Sequence, residues 1–80
     1  MMFDDRRLQR AASLVAQLHR LGIKTPNAWR RAASIGRDVG LQGAELEQAL
    51  VDAERAGLID RRSDDAGLIL VTAAGRAAAQ

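Results

Sequence analysis

The residues predict a mainly α, α+β fold: a three-helix core, a two-stranded β-hairpin and a short C-terminal helix. Four observations carry this prediction. Between positions 32 and 51, Ile35 and Val39 lie four apart on a helix, with Gly36 between them where a second helix must approach closely. Gly40 can take the positive φ that ends that helix, and Leu41 follows to plug the turn. Leu46, Ala49, Leu50 and Ala53 then recur at i, i+3, i+4 and i+7, which gives a further helix one apolar stripe. Downstream, Gly57-Leu58-Ile59-Asp60-Arg61-Arg62 and Gly67-Leu68-Ile69-Leu70-Val71-Thr72 flank a polar turn and read as the hairpin.

The first helix starts at Asp4 or Asp5, whose carboxylates favour a helix N-terminus. Its apolar positions Leu8, Ala11, Ala12, Leu14, Val15, Leu18 and Leu21 span about half the cylinder, wider than the roughly 100° stripe one core face needs. The helix is therefore expected to bury a second surface, as a homodimer or protein-partner contact. Gly22 stops it, and Ile23-Lys24 is expected as a short extended piece.

Thr25-Pro26 is a strong helix start, because Thr caps and Pro at the first position sacrifices no hydrogen bond. The second helix is expected to run from there to Gly40. Ala28, Trp29, Ala32, Ile35, Gly36 and Val39 would line its core face, and Asn27, Arg30, Ser34, Arg37 and Asp38 the other. The third helix is expected from about Gly43 to Ala56, closed by Gly57. Strands over 58–62 and 67–71 enclose a turn from Ser63 to Gly67, and Thr72 caps the last helix. The reading is one domain, 1–80, with a helix-turn-helix over about 26–56 and a hairpin over about 58–71.

Composition narrows the function. A chain of 80 residues fits one domain and buries only about 60% of its unfolded surface, so its core must be compact. With no cysteine there are no disulfides and no thiolate metal ligands, which fits a reducing compartment; a cytoplasmic location is expected. The first twenty residues contain no unbroken apolar run, so neither a signal peptide nor a membrane span is expected there. An enzyme is not expected: there is no Cys or Tyr, no phosphate-cradling glycine loop, and the three serines and one histidine fall on different elements. No cofactor or metal is expected either. His19 borders an apolar sector, and Asp64-Asp65 reads as a solvated turn.

Charge is uneven along the chain. Residues 1–40 hold eight Lys or Arg against three acids, and residues 41–60 hold one Arg against five acids, within a net charge of +2. A nucleic-acid binder gathers positive charge on its docking face, so where these blocks fold matters more than their sum.

The order helix, helix, helix, hairpin, helix, with Gly-Leu-Ile leaving the third helix and Leu-Val-Thr-Ala-Ala-Gly-Arg leaving the hairpin, resembles bacterial winged helix-turn-helix regulators. The DNA-binding core of the MarR type is the nearest likeness, over about residues 25–76. The resemblance implies a third helix in the major groove of double-stranded DNA and a hairpin "wing" on the flanking backbone or minor groove. The matching positions are Gln42, Ala44, Glu45 and Gln48 on the helix and Arg61 and Arg62 on the wing. Arg30, Arg31 and Arg37 are further candidates for phosphate contact.

The expected exposed side of the third helix sets Glu45, Glu47, Asp52 and Glu54 against Arg55. Gln48 can pair with adenine and Glu45 with cytosine, but phosphates repel acids, and a solvated acidic face is the competing reading. The arginines have an alternative too, as partners of those acids. A small transcriptional regulator or accessory DNA-binding factor is the function expected. The alternative is a protein-interaction module using the acidic third helix or the first helix.

Overall fold

The computed structural model describes residues 5–25 and 28–80. The elements run α1 (Asp5–Gly22), β1 (Arg30–Arg31), α2 (Ala32–Asp38), α3 (Gly43–Arg55), β2 (Ile59–Arg61), β3 (Leu68–Val71) and α4 (Ala73–Ala79). The fold is thus α+β and mainly helical, as expected, although its sheet has three strands rather than two.

Helix α1 carries Asp5 in its first turn and His19 and Arg20 in its last, which complements the helix dipole at both ends. Asp4, the other candidate start, lies outside the described residues. Ala11, Leu14, Val15 and Leu18 are buried, and α1 packs against α2, α3, α4 and β3. Much of the breadth of its apolar sector is therefore used within the chain. Leu14, at the edge of that sector, is completely buried, whereas Leu8 is 56% exposed and Ala12 also faces outward. Gln17 is buried among these side chains and donates from Nε2 to Asp38 Oδ2 at 3.0 Å, tying α1 to the end of α2. Ile23-Lys24 forms a turn and not an extended piece: the Ile23 N–H donates to the Arg20 carbonyl, and the side chain is exposed.

The second helix is much shorter than expected. Pro26 and Asn27 lie outside the described residues, Thr25 is in a bend, and Arg30 and Arg31 form β1 instead of helix. The cause is tertiary. β3 has two edges, the hairpin covers one of them, and β1 pairs antiparallel with the other, Arg30 opposite Ile69 and Arg31 opposite Leu68. Backbone groups along β3 that would otherwise be unpaired gain partners, outweighing the helical periodicity at Arg30 and Arg31. Trp29, expected in the core, sits just before this strand and is 38% exposed.

From Ala32 onward the expected geometry holds. Val39, Gly40, Leu41 and Gln42 connect α2 to α3, a turn of helix-turn-helix length. Gly40 takes φ 78° and Gly57, after α3, φ 76°. The Leu41 N–H donates to the Gly36 carbonyl at 2.7 Å, and Leu41 is buried. A Cβ on Gly36 would lie 2.7 Å from Leu41 O and 2.8 Å from both methyls of Leu46, so this close approach requires glycine.

The sheet order is β1-β3-β2, with Ile59 opposite Val71 and Arg61 opposite Ile69. Alternation turns Ile59, Ile69 and Val71 inward onto Leu14, Leu18, Ile35, Leu50 and Ala53. Thr72 caps α4 as expected: its Oγ1 accepts from the Gly75 N–H at 2.9 Å and donates to the Gly57 carbonyl at 2.6 Å. One hydroxyl thereby joins the end of α3 to the start of α4. Gly75 packs so closely beneath that a Cβ there would fall 2.1 Å from Leu58 O. Among the described residues, no helix is long and apolar enough to cross a membrane.

Candidate nucleic-acid interface

Helix α3 buries Ala49, Leu50 and Ala53, with Leu46 half-buried beside them. Opposite that row, Ala44, Gln48, Val51 and Arg55 recur at spacings of four, three and four, which puts them in one line along the outer face. The acids lie on the two flanks between these rows. Glu45, Glu47 and Glu54 are exposed and Asp52 is half-buried, so the solvent side of α3 does carry acids, which stand on either side of this row.

Three of these four acids are paired by a neighbouring element. On the α1 side, Arg7 donates from Nη2 to Asp52 Oδ1 at 2.7 Å and from Nε to Oδ2 at 3.2 Å, while Arg10 Nη2 reaches Glu45 Oε2 at 2.9 Å. On the hairpin side, Arg61 donates from Nη1 and Nη2 to the two carboxylate oxygens of Glu47, at 2.9 and 3.3 Å, and from Nε to the Ala66 carbonyl at 3.1 Å. Glu54 adds to the negative field at Arg61. The Arg61 hydrogen bonds and charge hold the Glu47 carboxyl below its ordinary value of 4.5, partly opposed by burial. The Arg7 hydrogen bonds do the same for Asp52, helped by Gln48, against an ordinary value of 3.8.

The remaining candidate residues are dispersed. Gln42 is exposed and precedes α3 without a side-chain cap, and with Arg37 it borders a cleft of about 390 Å³ at the turn between α2 and α3. Glu45 is exposed but committed to Arg10. Arg30 is half-buried and donates to the Leu21 carbonyl at 3.2 Å; Arg31, its neighbour on the edge strand, is exposed. Neither belongs to the second helix, where sequence periodicity put them. Arg61 is only 16% exposed at its side chain, whereas Arg62 is more open, pairing with Asp64 at 2.7 Å and lying 5.9 Å over the Trp29 ring. Asp65 closes the hairpin turn by accepting from the Gly67 N–H at 2.9 Å. Among the described residues, no cluster of three or more His, Cys, Asp or Glu has the arrangement of a metal site.

Arg7, Arg10, Val51, Asp52 and Arg55 were not among the residues expected to form the site. Their signal in the sequence is faint: Val51 and Arg55 continue the spacing of Ala44 and Gln48, but the α1–α3 pairs span 35 and 45 residues. No family model matches the chain, nor does any curated protein or solved structure.

Proposed function

We propose that this chain is a winged helix-turn-helix protein that binds double-stranded DNA, as a small transcriptional regulator or accessory DNA-binding factor. In this reading α3 enters the major groove and the β2–β3 hairpin is the wing. The observation that carries it is the division of charge around α3. Arg7, Arg10 and Arg61 occupy Asp52, Glu45 and Glu47 on the flanks, and the outer row of Ala44, Gln48, Val51 and Arg55 contains no acid. A helix with its acids disposed in this way can approach phosphates that an acidic face would repel.

Two further features support the reading. The first N–H groups of α3 have no side-chain cap and stand beside Arg37, an arrangement suited to a backbone phosphate. Arg31 and Arg62 are exposed cations on the edge strand and at the loop end of the hairpin, and both suit contact with the flanking backbone.

The test is a fluorescence-anisotropy titration with mixed-sequence duplex at a series of salt concentrations. Binding that weakens steeply and log-linearly with salt is expected. Wild-type protein that binds no duplex even at low salt would overturn the proposal in favour of a protein-interaction module.

A further inference from the structure

The outer row of α3 contains two side chains able to read a base by two hydrogen bonds, Gln48 and Arg55, and the orientation of Gln48 is set from another helix. Gln48 donates from Nε2 to Asp52 Oδ1 at 3.1 Å. An ionised carboxylate only accepts, so the amide nitrogen, and not the amide oxygen, must face Asp52. Asp52 is itself gripped through both oxygens by Arg7 of α1. The chain Arg7–Asp52–Gln48 therefore selects one of the two amide orientations and leaves Gln48 with one N–H and Oε1 for an outside partner.

That pair is a donor beside an acceptor, the complement of adenine in the major groove, where N7 accepts and the N6 amino group donates. Ala44, one turn before Gln48, and Val51, one turn after, present methyl groups, which suit the C5 methyl of thymine. Glu45, the sequence candidate for reading cytosine, is drawn to the flank by Arg10.

We infer that α3 recognises an adenine through Gln48, flanked by thymine methyls at Ala44 and Val51, with Arg7 and Asp52 as positioning residues that hold the Gln48 amide in its reading orientation. This rests on the proposed insertion of α3 into the major groove. It adds the base that is read and assigns a part in specificity to α1.

The experiment is selection from a randomised duplex pool with the full chain, followed by anisotropy on the selected duplex and on single-base variants. Wild type should enrich a site with one invariant adenine and discriminate about tenfold or more against other bases there. Gln48→Ala should lose that discrimination while still binding unselected duplex. Asp52→Asn, which permits both amide orientations and removes the hold of Arg7, should relax the same position and leave other positions of the site unchanged. A merely structural role for Asp52 would instead lower affinity for every duplex alike. Duplex binding with no adenine preference, or with a preference that survives Gln48→Ala or Asp52→Asn, would overturn the inference and leave DNA binding standing. Absence of any duplex binding would overturn both.

Discussion

Arg61 of β2 holds Glu47 of α3 through both carboxylate oxygens, so the hairpin is fastened to the helix by a bidentate ion pair. The same guanidinium was expected from the sequence to bind phosphate. If it does, it must exchange one anion for another, and Glu47 competes with DNA. Glu47→Gln is therefore expected to raise duplex affinity and to steepen the logarithmic salt dependence by about one unit. An anisotropy series across salt concentrations checks this; an unchanged slope would mean that Arg61 stays with the hairpin and does not reach DNA.

Acid should loosen the flanks of α3. The carboxyls of Glu47 and Asp52 titrate below their ordinary values of 4.5 and 3.8 in the folded chain, so the unfolded chain binds protons more readily at these sites. Their stabilising contribution is thus fully present above the ordinary carboxylate range and disappears as pH falls through the lowered values. The melting temperatures of wild type and the Glu47→Gln, Asp52→Asn double variant should differ at neutral pH and converge in acid. A gap that stays constant with pH would contradict this.

Gly36→Ala and Gly75→Ala should both destabilise, despite the higher helix propensity of alanine. The new methyl meets backbone carbonyls, Leu41 O at 2.7 Å and Leu58 O at 2.1 Å, which cannot rotate aside. Overpacking of this kind costs about 1–3 kcal/mol, more than the propensity gain of about 1 kcal/mol. Gly75→Ala should have the larger effect. Urea unfolding decides the matter, and an unchanged midpoint for Gly75→Ala would contradict the packing of α4 on the turn after α3.

Trp29 is the only tryptophan, so its fluorescence reports on one place, beside β1 and under the Arg62 guanidinium. Arg62→Ala should change the emission while shifting the melting temperature little, because an exposed cation–π contact contributes about 0.5–1 kcal/mol. Leu50→Ala should do the reverse: near-native emission at low temperature, but a loss of about 2–5 kcal/mol, since Leu50 is buried in the core. A large stability loss for Arg62→Ala would show that Trp29 is packed more deeply than its exposure implies.

Much of the candidate site's immediate neighbourhood was legible because it depends on local spacing. Gly36, Gly40 and Leu41 define the turn, Leu46, Ala49, Leu50 and Ala53 define the inner face of α3, and Thr72 caps α4, all as their positions in the chain indicate. The partners of the charged face were not legible. A helical projection separates Glu45 and Asp52 from Glu47 and Glu54, but only the packed neighbours show that Arg7, Arg10 and Arg61 pair with Asp52, Glu45 and Glu47.

The sequence by itself determined the order of helices and hairpin strands, the glycines where backbones approach or turn back, and the apolar residues that face inward. These follow from periodicity and backbone sterics, which act within a few residues. Only the tertiary structure decided that Arg30 and Arg31 leave the second helix to become a strand, because the free edge of β3 offers them backbone partners far along the chain. It also decided that Arg7, Arg10 and Arg61 partner the acids of α3, because such pairs form only after packing brings distant side chains within reach. Local spacing encodes which faces are apolar, whereas the electrostatic character of the outer face is a property of the assembled elements.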